Sequence, residues 1–146
     1  MRVSAGAELP GFEVDEVRAA AMKTMAVLLR DPNPIHFDLD VVAALGMGDR
    51  VINQGPTNMA YVVNMLVAWA GDPARIRALK VRFLDNVRAG DRVVAGGVVT
   101  SVAGDGRHQI AECDVWLDVV GGPRALAGSA TVALKAGEAA GDLRSE

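Results

Sequence analysis

One segment restricts the possible folds more than any other, the apolar run GPTNMAYVVNMLVAWAG at residues 55–71. Pro56 suits the first turn of a helix, and Gly71 suits its C-terminal cap. Few polar residues interrupt the run, as expected for a helix that is buried on most sides. From Ile76 onward the residues instead alternate or form β-branched stretches, which is typical of strands. The sequence therefore predicts one core helix packed against a sheet.

Four β-type segments follow the helix, and turns rich in glycine and aspartate separate them. They are IRALKVRFLDNV (76–87), DRVVAGGVVTSV (91–102), HQIAECDVWLDVV (108–120) and RALAGSATVALK (124–135). Because short turns join antiparallel neighbours, we expect the four strands to form a meander in chain order. We interpret Gly96 and Gly97, inside the second segment, as a β-bulge rather than a phosphate loop. The predicted class is a single α+β domain over residues 1–146, with a frayed tail at about 137–146.

The first third of the chain has a helical pattern interrupted by proline. Its first dozen residues are typical of a leading strand or an extended arm. A helix is then predicted over residues 17–30, with Asp15 as its N-cap and Pro32 ending it. A second, short helix is predicted over Asp38–Leu45, closed by glycines just after it.

Composition and charge exclude several classes of function. A net charge of −3 argues against a nucleic-acid-binding surface. The longest apolar stretch, residues 61–70, is too short to span a bilayer, and the N-terminus lacks the apolar region of a secretory signal. The single cysteine, Cys113, allows no intrachain disulfide and is interpreted as a packing residue. We therefore expect a cytoplasmic protein with no nucleic-acid or membrane partner.

Only one polar cluster has the composition of a catalytic site. The two histidines, His36 and His108, are far apart without ligands at metal-binding spacing, so we predict no metal site and interpret His108 as a solvated turn residue. The cluster is DPNPIH, where two prolines flank Asn33 between Asp31 and His36. It is either a simple polar turn or a rigid turn holding a carboxylate and an imidazole around one water. Such a pair suits hydration or dehydration of an activated alkene.

DPNPIHFD resembles the D-x-N-P-[IL]-H signature of the MaoC-like, (R)-specific enoyl-thioester hydratases, whose hot-dog fold wraps a sheet around a central helix. The similarity continues through Ile52-Asn53-Gln54-Gly55, where the family has Ile-x-His-Gly, and through RFLDNVRAGD after the apolar helix. It covers roughly residues 15 to 135. The resemblance implies that this chain is a single hot-dog domain.

The resemblance also implies site residues. Asp31 and His36 would be the acid/base pair, and Asn33 would orient the motif. Either Gly55 or Thr57 would donate a backbone N–H to the thioester carbonyl, because Pro56 has none and a helix N-terminus offers free N–H groups. Gln54 takes the position of the family's histidine and is expected to keep a hydrogen-bonding role. Arg30 stands where the family has a small residue; it either acts on Asp31 or faces solvent toward an anionic carrier.

The expected reaction is reversible syn hydration of a trans-2-enoyl thioester to an (R)-3-hydroxyacyl thioester, without metal or cofactor. The chain is also similar to small single-hot-dog dehydratase subunits of actinobacteria, which pair with a partner lacking the motif in fatty-acid elongation or steroid side-chain degradation. That similarity implies an acyl-CoA or acyl-ACP substrate and a homodimer, or a heteromer with another hot-dog subunit, since a free sheet edge can be extended by a second chain. The acyl tunnel would then lie between the protomers.

Two other functions are also compatible with the sequence. A hot-dog thioesterase shares fold and substrate but usually places its acid on the central helix, and residues 57–69 contain no Asp or Glu. A non-catalytic hot-dog subunit would only complete a partner's tunnel, and such a subunit has no need of an intact DPNPIH.

Overall fold

The computed structural model describes residues 2–105 and 107–135, and its strands form one antiparallel sheet. In chain order the strands are β1 (Phe12–Val14), β2 (Ile76–Phe83), β3 (Val93–Gly104), β4 (His108–Val119) and β5 (Arg124–Lys135). The α-helices are α1 (Ala19–Leu28), α2 (Leu39–Ala44) and α3 (Gly55–Ala70), and short 3₁₀ turns occupy Pro34–His36 and Pro73–Arg75. Across the sheet the order is β1-β3-β4-β5-β2. The predicted α+β class is confirmed.

Helix α3 is the central element, as the sequence predicts. Pro56 lies in its first turn, and Gly71 ends it with a φ of 79°, which a residue without Cβ adopts at little cost. It contacts all five strands. The residues facing the sheet share one stripe and are Asn58, Val62, Met65, Leu66, Trp69 and Ala70. Burial of each large apolar side chain in this stripe contributes about 1.5–3 kcal/mol. An opposite row at four-residue spacing, Pro56, Ala60, Asn64 and Ala68, is exposed.

The predicted meander is correct for β3, β4 and β5 but wrong for β2. Strand β2 pairs with β5, on the far side of the sheet from β3. The connection from β2 to β3 is not a tight turn, because it pairs with the segment that precedes α3. Asn53 N–H donates to the Val87 carbonyl at 2.8 Å, and Ala89 N–H donates to the Val51 carbonyl at 2.9 Å. The consequence is that β2 forms an edge of the sheet.

Two local predictions are also wrong. Asp15 does not cap α1: the N-cap is Arg18, without a side-chain bond, because Val17 N–H donates to the Asp91 carbonyl and holds this segment extended. The β-bulge is not at the two glycines but between Val99 and Ser101. Gly96 instead makes room for the Trp116 indole, since a Cβ there would lie 2.6 Å from the indole nitrogen.

Other local predictions agree with the structure, except that His108 lies in a strand rather than in a turn. An N-terminal arm leads into β1, and its Leu9 N–H donates to the Gly97 carbonyl. Asp38 caps α2 by accepting from the N–H groups of Asp40 and Val41. Cys113 is buried in β4 and His108 is exposed at the start of the same strand. The predicted frayed tail lies outside the described residues. Among the helices described, none is both long and apolar enough to cross a membrane.

Candidate active site

The end of α1 sets the position of Asp31. Arg30 N–H donates to the Val27 carbonyl at 3.2 Å, and Asp31 N–H donates to the Ala26 carbonyl at 2.9 Å. These two bonds form a Schellman motif, in which the residue after the C-cap adopts a left-handed conformation. Arg30 is that residue, with a φ of 51°, and it is the only non-glycine residue with positive φ among those described. Arg30 therefore turns the chain so that Asp31 leaves the helix in a fixed direction.

The Pro-Asn-Pro segment then holds Asp31 and His36 on the same side of a turn. Asn33 N–H donates to Oδ1 of Asp31 at 3.1 Å, and Oδ1 of Asn33 accepts from Ile35 N–H at 3.3 Å. Pro34 begins a 3₁₀ turn that His36 closes through its N–H to the Asn33 carbonyl. The structure thus brings Asp31, Asn33 and His36 together, with Asn33 bonded to the carboxylate through its backbone.

His36 is buried, with 6% of its surface exposed, and both ring nitrogens face a partner. Nδ1 lies 2.6 Å from the Ile52 carbonyl oxygen, and Nε2 lies 3.1 Å from Oδ2 of Asp31. Because a carbonyl oxygen can only accept, Nδ1 carries a hydrogen. The contact between Nε2 and the carboxyl group then needs one further proton to be a hydrogen bond. The arrangement places a buried imidazole against a carboxyl side chain that remains one-third exposed.

The segment before α3 joins this pair to the helix N-terminus. Ile52 N–H donates to the Ile35 carbonyl at 2.9 Å, and Ile52 also accepts the His36 bond. Three residues later α3 begins. Thr57 N–H donates to the Gln54 carbonyl at 3.0 Å, whereas Gly55 N–H has no acceptor among the described residues. Of the two predicted donors, Gly55 is therefore the available one.

Phe83, at the end of β2, covers the start of α3. A Cβ built on Gly55 would lie 3.2 Å from Cζ of the Phe83 ring, so the ring packs directly on this glycine. Phe83 remains 52% exposed and forms an apolar wall beside Gly55. Sequence reasoning missed this residue, because its proximity depends on where β2 lies in the sheet.

Gln54 lies under α1 rather than facing solvent. Its side chain is fully buried, and Nε2 donates to the Met22 carbonyl at 2.8 Å. Its Oε1 and the Thr57 hydroxyl are buried without a hydrogen-bond partner among the described residues. The Nε2 bond ties the start of α3 to α1 and does not point outward, and the predicted role of Gln54 in the site stays a prediction.

A second polar cluster next to the site was also missed. Asn53 Nδ2 donates to Oδ1 of Asn58 at 2.8 Å and lies 3.5 Å from the Tyr61 hydroxyl. Burial raises the pKa of Tyr61, and its hydrogen bond with Asn53 opposes this shift. The signal in the sequence was an asparagine on the buried face of an apolar helix. Among the described residues, no group of three or more His, Cys, Asp or Glu side chains is placed to hold a metal ion.

Comparison with known proteins identifies a family and a set of similar folds. The family model described as the MaoC like domain matches residues 7–116. The (R)-hydratase from A. caviae involved in PHA biosynthesis is similar, with a TM-score of 0.78 and 25% identity over 90% of this chain and 97% of that one. The ChsH1-ChsH2 complex from Mycobacterium tuberculosis has a TM-score of 0.76 and 22% identity, over 92% of this chain and 100% of that one. The HadBC (3R-hydroxyacyl-ACP dehydratase) complex from the same organism has a TM-score of 0.69 and 17% identity, over 90% of this chain and 98% of that one.

No curated protein matches the sequence. The structural neighbours confirm the predicted hot-dog fold, in which the sheet wraps around α3. The family model covers most of the chain, including the DPNPIH turn, the start of α3 and strands β2 and β3. This chain belongs to the MaoC-like domain family.

Proposed function

We propose that this protein catalyses reversible syn hydration of a trans-2-enoyl thioester to an (R)-3-hydroxyacyl thioester. The observation that carries the proposal is the Asp31–His36 pair, with Nε2 3.1 Å from the carboxyl oxygen and Nδ1 fixed by the Ile52 carbonyl. Membership of the MaoC-like family and the likeness to the (R)-hydratase from A. caviae support it.

In the hydration direction the pair starts as a carboxylate and an imidazolium. The oxygen of a water bound at Asp31 attacks the β-carbon while its proton passes to the carboxylate. The π electrons move toward the thioester carbonyl, and Nε2 of His36 supplies a proton to the α-carbon on the same face. Return of the proton from Asp31 to His36, across their 3.1 Å contact, restores the starting state.

The developing enolate oxygen is placed at the start of α3. Gly55 supplies the N–H, and the positive end of a 16-residue helix adds to its effect. Donors that are already oriented toward developing charge need no reorganisation during the reaction, and losing one such donor typically costs about 10²–10³ in rate. The Phe83 ring, packed on Gly55, would hold the acyl thioester against this donor.

The substrate carrier is proposed to be coenzyme A or acyl carrier protein, and the working unit an assembly of hot-dog chains. Two of the similar structures are complexes, ChsH1-ChsH2 and HadBC. They support assembly with a second hot-dog chain, either another copy or a different subunit. A thioesterase is the weaker alternative, because α3 carries no carboxylate.

The test is crotonyl-CoA hydration, followed by loss of absorbance of the conjugated double bond. We expect Asp31→Asn and His36→Gln each to lower kcat/KM by about 10²–10⁴-fold, as loss of a general acid or base does. Asp49→Asn and His108→Gln are matched controls, because both side chains are exposed and lie outside the site.

Hydration that survives unchanged in both Asp31→Asn and His36→Gln would refute the mechanism. Activity that appears only after addition of a second hot-dog chain would show that the partner-dependent form is the working unit. Hydrolysis of the thioester in the absence of hydration would favour the thioesterase instead.

A further inference from the structure

The peptide that joins Gln54 to Gly55 carries the N–H that the proposed reaction places against the thioester oxygen. Its carbonyl end is held by α3, because the Gln54 carbonyl accepts from Thr57 N–H at 3.0 Å and from Asn58 N–H at 3.1 Å. A planar trans peptide directs its N–H away from its carbonyl. The Gly55 N–H therefore points away from the helix, and it has no acceptor among the described residues.

This peptide can still turn about the backbone bonds on either side of it. The bond before it belongs to Gln54, which has a ψ of 138° and is not part of the helix. The bond after it belongs to Gly55, and glycine has the widest choice of backbone angles. A Cβ at position 55 would narrow that choice, but it would lie 3.2 Å from the Phe83 ring, closer than the ordinary contact distance. A restraint from outside the residue can instead limit the directions that this N–H takes.

Asn53 and Asn58 supply such a restraint, because their side chains bond to each other across the start of α3. Asn53 Nδ2 donates to Oδ1 of Asn58 at 2.8 Å. The bond joins residues on the two sides of Gly55, so the peptide with the free N–H lies inside the loop that the bond closes. Asn53 is itself fixed by the sheet-side backbone, since its N–H donates to the Val87 carbonyl at 2.8 Å. The side-chain bond therefore sets the angle at which the segment before α3 meets the helix.

The two amides are buried although the helix face around them is apolar. Asn58 is 3% exposed and Asn53 is 5% exposed. The other members of the buried stripe of α3 are Val62, Met65, Leu66, Trp69 and Ala70. A buried hydrogen bond between two side chains adds little net stability, and replacing both partners by apolar groups of the same shape is nearly neutral. Stability alone therefore does not account for this pair, whereas orientation of the Gly55 N–H does.

We propose that Asn53 and Asn58 are positioning residues, whose mutual bond holds the Gly55 N–H toward the enolate oxygen that forms during hydration. The inference rests on the proposed hydratase reaction and adds to it the pair that orients its oxyanion donor. The effect belongs to the transition state, because a donor aimed at developing charge acts where that charge appears. Tyr61 adds a weaker restraint, since its hydroxyl lies 3.5 Å from Asn53 Nδ2, a long distance for a hydrogen bond.

The first measurement is crotonyl-CoA hydration by Asn53→Leu, Asn58→Leu and the double variant. Leucine branches at Cγ as asparagine does but has no polar atom. We expect kcat to fall about tenfold in each single variant, less than the roughly 10²–10³ that loss of a whole oxyanion donor costs, with KM changed by less than about twofold. The double variant should lose no more than a single one, because both changes remove the same bond. Tyr61→Phe should lower kcat by less than about threefold.

The second measurement reports on the donor without needing turnover. Acetoacetyl-CoA loses a proton from its α-carbon to the buffer and forms an enolate that absorbs in the ultraviolet. The fraction bound as enolate therefore shows how well a site stabilises an enolate oxygen. We expect the wild type to raise this fraction above that of free acetoacetyl-CoA at the same pH, and Asn58→Leu to lower it about threefold or more. Asn58→Ala replaces Asn58→Leu in both measurements if the leucine variant does not fold.

Gln109→Leu is the matched control, because Gln109 is also a buried amide whose hydrogen bonds, to the N–H and carbonyl of Val3, lie outside the candidate site. It should lower the free energy of unfolding and leave kcat, KM and the enolate fraction unchanged. A loss of kcat in Gln109→Leu equal to that in Asn58→Leu would show a general effect of removing a buried amide and would overturn the proposal.

The proposal is also overturned if both single variants keep the wild-type kcat, if their effects multiply in the double variant, or if folded Asn58→Leu keeps the wild-type enolate fraction. A wild type that binds acetoacetyl-CoA without raising its enolate fraction overturns it as well, because no donor is then positioned. Failure of the hydratase is a separate result. An enolate signal that falls in the variants, without hydration by the wild type, would support the positioning role and count against the hydration reaction.

Discussion

At the scale of single residues, Arg30 shows how one backbone angle positions the candidate catalytic carboxylate. Arg30 departs from the family pattern, and neither action on Asp31 nor contact with a carrier is needed to explain its position. Its φ of 51° places it at the left-handed position of the Schellman motif that ends α1. Such a conformation costs roughly 1–2 kcal/mol for a residue with a Cβ and little for glycine. This backbone conformation gives a physical reason for the small residue that the family has at the position of Arg30.

We therefore predict that the free energy of unfolding of Arg30→Gly is equal to that of the wild type or about 0.5–1 kcal/mol higher. Arg30→Val should lose about 1–2 kcal/mol, because a β-branched residue tolerates positive φ poorly. Urea unfolding measures both. Ala20→Gly, on the exposed face of α1, should cost about 1 kcal/mol and shows what glycine does elsewhere in the helix. If Arg30→Gly lost as much free energy of unfolding as Ala20→Gly, the left-handed conformation assigned to Arg30 would be contradicted.

Cys113 gives a second prediction at this scale. Burial raises the pKa of its thiol from 9.0 to about 11, with Glu112 and Asp114 adding to the shift. The folded state therefore holds the proton more tightly than the unfolded state, so this stabilising contribution is complete below pH 9.0 and is lost as pH rises toward 11. At pH 8 a disulfide reagent should label Cys113 only after urea is added. Rapid labelling of the native protein would contradict its burial.

At the scale of elements, one side chain joins the helix that ends at Asp31 to the helix that begins at Gly55. Gln54 Nε2 donates to the Met22 carbonyl, in the middle of α1, from a fully buried position. Meanwhile His36 is bonded to Ile52, just before α3. The two halves of the candidate site are thus fixed relative to one another by two hydrogen bonds from neighbouring positions in the chain.

Gln54→Glu should lower the free energy of unfolding by about 3 kcal/mol or more, because a buried carboxylate would face a carbonyl oxygen with no donor between them. Gln54→His keeps a donor and should cost less. Asn64→Asp introduces the same kind of change on the exposed side of α3 and should stay within about 0.5 kcal/mol of the wild type. Equal losses for Gln54→Glu and Asn64→Asp, measured by urea unfolding, would rule out a structural role for this bond.

At the scale of the whole molecule, the crossing from β2 to β3 decides what surrounds the site. It places β2 beside β5 at the edge of the sheet, which brings Phe83 onto Gly55. Gly128 makes this pairing possible, because a Cβ at that position would lie 1.9 Å from the Lys80 carbonyl oxygen. The wall of the candidate site and one edge of the described sheet are consequently the same strand.

Phe83→Ala should raise KM for crotonyl-CoA and lower kcat/KM about tenfold, since truncation removes apolar surface from the wall beside Gly55. The fold should survive, because Phe83 is 52% exposed. Ile110→Ala removes an apolar side chain of 40% exposure from the outer face of β4 and should leave both constants unchanged. Unaltered kinetics in a folded Phe83→Ala protein would show that the ring takes no part in binding.

Much of the candidate site could be predicted from the sequence because its chemistry is local. Asp31, Asn33 and His36 lie within one turn that two prolines stiffen, so their proximity follows from chain geometry. The α3 boundaries also follow from local signals, Pro56 and Gly71. The roles assigned to these residues remain predictions until the variants are assayed.

The core helix, the β-type second half and the DPNPIH turn follow from local sequence signals, because periodicity, proline and glycine act over a few residues. The position of β2 at the sheet edge, the contact of Phe83 with Gly55 and the burial of Gln54 under α1 instead depend on tertiary packing. These contacts join residues far apart in the chain, and short turn signals cannot specify which strands become neighbours. The choice depends on how the segment between β2 and β3 pairs with residues 51–53, which no local pattern encodes.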